Sequence, residues 1–143
     1  MPIKSKMFSV FVVAFILTIF IRVFVFEGFI VVGDSMEPTI SSGDYVFINK
    51  LAFTFSKPER GDIVVTTSRD SKQKIIKRIA GMPEDEFSIG TISTNIDPME
   101  YFVLGDNLDV SIDSRKLGMI DSWDIKGKVF ARFRFSELKF SIF

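Results

Sequence analysis

Met7–Phe26, MFSVFVVAFILTIFIRVFVF, is the stretch that decides the fold. Its twenty residues carry a single charge, Arg22. The Phe-rich, β-branched composition would suit a buried strand, but no strand of a small domain runs this long. As a helix rising about 1.5 Å per residue it covers roughly 30 Å, the thickness of a bilayer core. Length therefore selects a transmembrane helix. Arg22 stands near the far end, where its long stem brings the guanidinium to the interface. The run is too long for a removable signal, and no small-x-small cleavage pattern follows it.

The flanks orient the helix. Lys4 and Lys6 precede it; Glu27, Asp34 and Glu37 follow, and the next lysine is Lys50. Positive charge favours the cytoplasmic side. The expected organisation is residues 1–6 cytoplasmic, 7–26 in the membrane and 27–143 outside. The 143 residues, 47% hydrophobic, leave room for one small folded domain behind the anchor. Eighteen basic and eighteen acidic residues cancel, which removes any global electrostatic case for nucleic acid.

Beyond the helix the texture changes to short apolar runs between turns. Residues 29–32, 45–48, 63–67, 74–80, 101–104 and 125–135 read as strands, with turn signals at 41–44, 58–62, 81–85 and 105–107. The expected fold class is mainly β, a small antiparallel domain. In the last strand Val129, Ala131, Phe133 and Phe135 alternate with Phe130, Arg132 and Arg134, giving a core face and a solvated face. A chain with 17 Phe, ending Phe140-Ser141-Ile142-Phe143, offers another reading, in which part of this surface enters the membrane interface.

Three stretches carry chemistry. The first, Gly33-Asp34-Ser35-Met36-Glu37-Pro38-Thr39, presents a serine in a turn just past the membrane segment. Taken alone it is ordinary turn chemistry. The chain has no histidine and no cysteine, so a Ser-His-Asp triad, a Cys-His pair and the usual zinc sites are excluded. A nucleophilic Ser35 would need Lys, Asp, Glu or Tyr as its base, with a pKa moved towards the working range. The second stretch, Ile75-Ile76-Lys77-Arg78-Ile79-Ala80-Gly81, supplies a lysine. On a strand Ile75, Lys77 and Ile79 share a face, so core-facing isoleucines would carry Lys77 into an apolar setting that disfavours its ammonium form. The third, residues 105–115 (GDNLDVSIDSR), lacks the mid-loop Gly and terminal Glu of a calcium loop. It reads instead as a loop of internal Asp/Arg pairs that sets a hydroxyl beside the base.

In order and broadly in spacing, these three stretches behind a membrane anchor resemble bacterial type I signal peptidases, which use a Ser-Lys dyad. The likeness runs from the helix to GKVFARF near the C-terminus. It implies that Ser35 attacks the scissile carbonyl and Lys77 accepts its proton, while Ser111 hydrogen-bonds and orients the lysine amine. Asp106 with Arg78, and Asp113 with Arg115, match supporting ion pairs. The Ser35 amide would be one oxyanion donor; the position two residues earlier, a serine in some members, is Gly33 here. Val31, Ile76 and Met36 match lining positions of shallow pockets that select small residues at −1 and −3 of a signal peptide.

The resemblance further implies a plasma (inner) membrane protein that acts on exported preproteins beside the lipid bilayer and associates with the secretion machinery, with no metal and no cofactor. This sequence departs from the family at Leu108, Val110 and Pro83-Glu84-Asp85, and the β insertion of larger members is cut back. The membrane helix stands where a self-cleaving repressor-type domain would carry a DNA-binding segment, which leaves two alternatives open: a specialised maturation peptidase of a conjugation or secretion system, and a degenerate module that binds preproteins without cutting them.

Overall fold

The computed structural model describes residues 2–68, 72–89 and 91–143. One long helix, α1 (Pro2–Phe24), leads into the β domain. Its segment Lys6–Phe24 is long and apolar enough to cross a membrane, and none of it is buried within the protein. The helix stops two residues short of the expected Phe26. The tail of the apolar run is claimed by the sheet: the Lys50 amide donates to the Val25 carbonyl at 2.9 Å, and the Phe26 ring packs on Phe130 with centroids 5.8 Å apart.

Among the described residues ten strands follow: β1 (Phe26–Ile30), β2 (Tyr45–Asn49), β3 (Ile63–Thr67), β4 (Lys74–Gly81), β5 (Glu86–Ile89), β6 (Ile92–Asn95), β7 (Glu100–Leu104), β8 (Ile120–Asp121), β9 (Ile125–Arg134) and β10 (Lys139–Ile142). A one-turn helix, α2 (Ser114–Leu117), lies between β7 and β8. Seven strands pair in the order β1-β2-β9-β3-β4-β7-β8, with β10 added to β9, while β5 and β6 form a separate hairpin. All pairings are antiparallel. The first strand was expected over 29–32 and begins earlier; β5, β6, β8, β10 and α2 were not anticipated.

Two apolar clusters fill the domain. Val31, Met36, Ile40, Val46, Ile48 and Ile63 belong to one, and Val64, Ile79, Tyr101, Val103 and Ile120 form the other. Neighbours in β3 divide between them, Ile63 and Val65 to the first and Val64 to the second, so this strand is buried on both faces.

The alternation expected along β9 is interrupted. A register shift opposite Phe47/Ile48 sets Val129 against Ile48 but Ala131 against Phe47, leaving Phe130 as the extra residue of a bulge. Phe130 then joins Phe26 and Phe47 in an aromatic group. Nor do Arg132 and Arg134 form a solvated face, because they close on Asp44, which is 2% exposed. Arg132 Nη1 donates to it at 2.9 Å, Arg134 Nε and Nη2 at 3.0 Å each, and the Ser41 amide at 3.0 Å. A buried carboxylate needs such partners, and the arginines are drawn inward to supply them. The Asp44 carbonyl in turn accepts from the Val31 amide at 2.9 Å, which pins the chain just ahead of Ser35.

Candidate active site

Ser35 is held in a series of turns. Gly33 has φ +101°, a left-handed conformation that favours glycine and redirects the chain leaving β1. The Glu37 amide donates to the Asp34 carbonyl at 3.2 Å and the Ile40 amide to the Met36 carbonyl at 2.9 Å. Buried Met36 and Ile40 anchor the far side of the turn in the first apolar cluster. The Gly33 amide itself donates to Ser42 Oγ at 3.3 Å. Gly33 therefore contributes through its backbone conformation and carries no side-chain donor for an oxyanion.

Lys77 comes from the middle of β4 and is only 3% exposed. Its Nζ donates to Ser35 Oγ at 2.7 Å, across 42 positions of sequence. The two residues that the sequence pointed to are thus in hydrogen-bond contact. Burial pushes the Lys77 pKa below the ordinary lysine value, and the carboxylates of Asp113 and Asp106 pull partly back. Desolvation prevails because neither carboxylate makes an ion pair with the amine; each is engaged by its own arginine.

Those pairs organise the loop 105–115. Arg78 Nε and Nη2 each donate to Asp106 at 2.7 Å, and Nη1 donates to the Gly61 carbonyl at 2.7 Å. Burial alone would raise the Asp106 carboxyl, but Arg78 and the Thr39 hydroxyl hold it below its ordinary value. Asp113 is completely buried. It accepts from Arg115 Nε at 2.9 Å, Arg115 Nη2 at 3.0 Å and the Gly105 amide at 3.0 Å, which outweigh burial and hold its pKa down as well. Arg115 Nη2 also donates to the Leu108 carbonyl at 2.7 Å. The loop is stitched to the serine turn by its backbone, the Asn107 amide donating to the Ser35 carbonyl at 3.0 Å.

Ser111 is 1% exposed, and its Oγ meets no partner in hydrogen-bond geometry. The expected bond to the Lys77 amine is not formed in this arrangement. The Ser111 hydroxyl lies on the Asp113 side, where it helps to lower that carboxyl's pKa, and against the bare Cα of Gly105. A Cβ on Gly105 would stand 2.3 Å from Ser111 Oγ and 2.4 Å from the Ser35 carbonyl oxygen, so the close approach of loop and turn requires glycine.

A family model described as "Signal peptidase, peptidase S26" matches residues 4–92 and 85–134. The chain belongs to that family. It is accordingly a serine-protease hydrolase, and a Ser-Lys dyad is a general property of the family. A probable signal peptidase I-2 of Synechocystis sp. is 34% identical over 151 residues, covering 85% of this chain and 69% of its own length. Signal peptidase I P of Bacillus subtilis subsp. natto is 30% identical, with 80% of each chain covered. Mitochondrial inner membrane protease subunit 1 of Schizosaccharomyces pombe is 38% identical over 119 residues, covering 78% of this chain and 76% of its own.

In this S26 chain a cleft of about 590 Å³ opens beside the dyad. Val31, Met36 and Ile76 all line it, together with Phe29, Ile75 and Lys74. One wall continues β1, an edge strand; the other is the 74–77 part of β4, which pairs with β3 but lies beyond the β7 ladder that begins at Arg78. Free strand edges on both walls suit an extended peptide.

Three contacts were not anticipated from sequence. Ser114 Oγ accepts from the Val103 amide at 2.9 Å and fastens the loop to β7. Asp113 caps α2 through the Arg115 amide at 3.3 Å, a bond whose sequence signal is an Asp directly ahead of a short helical stretch. Glu27 crosses the cleft to pair with Lys74, and no local pattern announces that contact.

Proposed function

We propose that this chain is a membrane-anchored endopeptidase that removes N-terminal signal peptides from exported preproteins, with Ser35 as nucleophile and Lys77 as general base. The observation that carries the reading is the 2.7 Å contact between a serine hydroxyl and a lysine amine that is 3% exposed and held to a lowered pKa by burial. In its neutral form the amine accepts the hydroxyl proton as Oγ bonds to the scissile carbonyl carbon. The ammonium then protonates the departing amine as the C–N bond breaks, leaving an acyl group on Ser35. Water, deprotonated by the same amine, releases the acyl product and restores the serine. The Ser35 amide serves as an oxyanion donor, a role whose loss in other serine hydrolases costs about 10²- to 10³-fold in rate.

Small residues at −1 and −3 of the substrate fit the apolar wall of Val31, Ile76 and Met36. The N-terminus is cytoplasmic, the β domain lies outside the plasma membrane, and the enzyme works beside the secretion machinery. Exposed Phe26 and Phe140, linked through the rings of Phe130 and Phe47, and exposed Ile142 rest in the bilayer interface. Anchoring confines enzyme and substrate to one plane, which makes their encounter effectively intramolecular. A maturation peptidase or a non-catalytic binding module is not favoured, since the dyad geometry is intact and the relatives include a probable signal peptidase I-2 and signal peptidase I P.

Mass spectrometry of preprotein cleavage by the wild type, Ser35→Ala and Lys77→Met tests the reading. Cleavage after a small residue by the wild type only is the expected result, and activity retained in Lys77→Met removes the dyad. Because the chain has no cysteine of its own, single cysteines introduced at residues 3 and 57 report orientation through an impermeant maleimide; residue 57 should label from outside and residue 3 should not.

A further inference from the structure

The cleft does not end at the dyad. Its walls run back towards the membrane, and there Glu27 of β1 and Lys74 of β4 join in an ion pair across the opening. In the sheet these strands are separated by β2, β9 and β3, so the contact spans the curl of the sheet and is not a ladder neighbour. Glu27 follows the end of α1 at Phe24 by three residues, which places it at the bilayer surface. Lys74 precedes Lys77 by three residues on the same strand, about 10 Å at a rise of roughly 3.3 Å per residue. Anything passing from the bilayer to Ser35 along this cleft meets the ion pair first.

The register follows from strand geometry. A substrate whose apolar run stays in the bilayer and whose scissile carbonyl reaches Ser35 runs in the same sense as the chain from Glu27 to Ser35. Extended chains advance at one rate, so substrate residues match wall residues nearly one for one. With position −3 against Val31 and Ile76, Glu27 stands four residues further back, beside about −7, and Lys74 two, beside about −5, so the ion pair spans about −5 to −7.

We propose that the Glu27–Lys74 pair is a specificity element that keeps the −5 to −7 stretch of the cleft electrically neutral and thereby favours uncharged polar substrate residues there. The inference rests on the peptidase reading above. With 36% and 48% of their side chains exposed, the two partners are accessible to a substrate group. A charged substrate residue at this level is attracted by one member and repelled by the other, and gains little. Removal of either member leaves the other as a fixed charge on the cleft wall, and the two removals favour opposite substrate charges.

The experiment uses the full-length protein in liposomes and three otherwise identical preproteins carrying Ser, Lys or Glu at −6. In the wild type kcat/KM is highest for Ser. Lys74→Gln shifts preference towards the Lys substrate and away from Glu by about two- to fivefold, the range of an exposed ion pair. Glu27→Gln shifts it the other way, the double variant is nearly indifferent, and both single-variant preferences shrink at high salt. Preference for Ala over a bulky residue at −1 stays as in the wild type. Equal loss on all three substrates in both single variants would mean a merely structural brace and overturns the proposal, as does the same charge preference in both. Cleavage of none of the three by the wild type overturns the peptidase reading along with it, whereas charge-independent cleavage overturns this inference alone.

Discussion

Two buried polar centres in this molecule are built on opposite principles. Asp44 is surrounded by donors: Arg132, a bidentate Arg134 and the Ser41 amide satisfy it and hold its pKa down against burial. Lys77 is buried as deeply but is given one hydroxyl, while the nearby carboxylates are taken by Arg78 and Arg115. The fully compensated charge serves the fold. The uncompensated one is kept poised to lose its proton, which is what base catalysis requires.

The largest way to break this comparison is at the dyad. Ser35→Ala and Lys77→Met should each lower kcat by more than about 10³-fold in a preprotein assay. Lys77→Met should at the same time leave thermal stability unchanged or raised, since it replaces a buried amine with an apolar chain of similar length. Asp44→Ala should do the reverse. Stripped of Asp44, Arg132 leaves buried charge unpaired while Arg134 keeps Glu137, at a cost of about 3 kcal/mol by denaturation in detergent. Its effect on kcat should follow the loss of folded protein.

Gly105→Ala probes the seam between loop and nucleophile. The new Cβ would meet Ser111 Oγ at 2.3 Å and the Ser35 carbonyl at 2.4 Å, so one of them must move. A displacement of order 1 Å at the nucleophile costs about 10²-fold in rate, with KM changed less than kcat. Ser111→Ala separates the roles of the hydroxyl: if Ser111 orients the amine during turnover, kcat falls although this structure shows no bond between them.

The smallest effects lie in pH. Activity should rise with pH through the Lys77 pKa, at a value below that of a free lysine. Asp113→Asn removes the carboxylate that draws this pKa upward, and should move the rising limb to lower pH, measured as kcat/KM against pH. The same shift has a stability sign. Between the lowered value and the ordinary one, the unfolded chain holds a proton that the native site has released. Stability therefore declines as pH falls through that window, and Lys77→Met should remove this dependence.

Much of this was legible because it is periodic or local. The length of Met7–Phe26 gave the helix, and β3 has the span that its apolar run predicts. The alternation of Ile75, Lys77 and Ile79 puts the amine beside buried Ile79, whereas Ile75 is half-buried and lines the cleft instead of the core. What escaped depends on partners far away in sequence. Glu27 and Lys74 are 47 positions apart, and Asp44 meets Arg132 and Arg134 across 88 and 90. The bulge at Phe130 arises only from pairing with β2, so simple alternation misassigns the faces on either side of it. The short hairpin β5–β6 lacks strong apolar alternation, and β8 is two residues long.

Only Val25 separates α1 from β1. Lys50 clamps that junction with two bonds, its amide to the Val25 carbonyl and its Nζ to the Val23 carbonyl. No loop intervenes between helix and sheet. With the helix seated in a bilayer as proposed, a change of bilayer thickness that tilts the helix would turn the mouth of the cleft with it. Membrane thickness would thereby become a variable of the active site's aim.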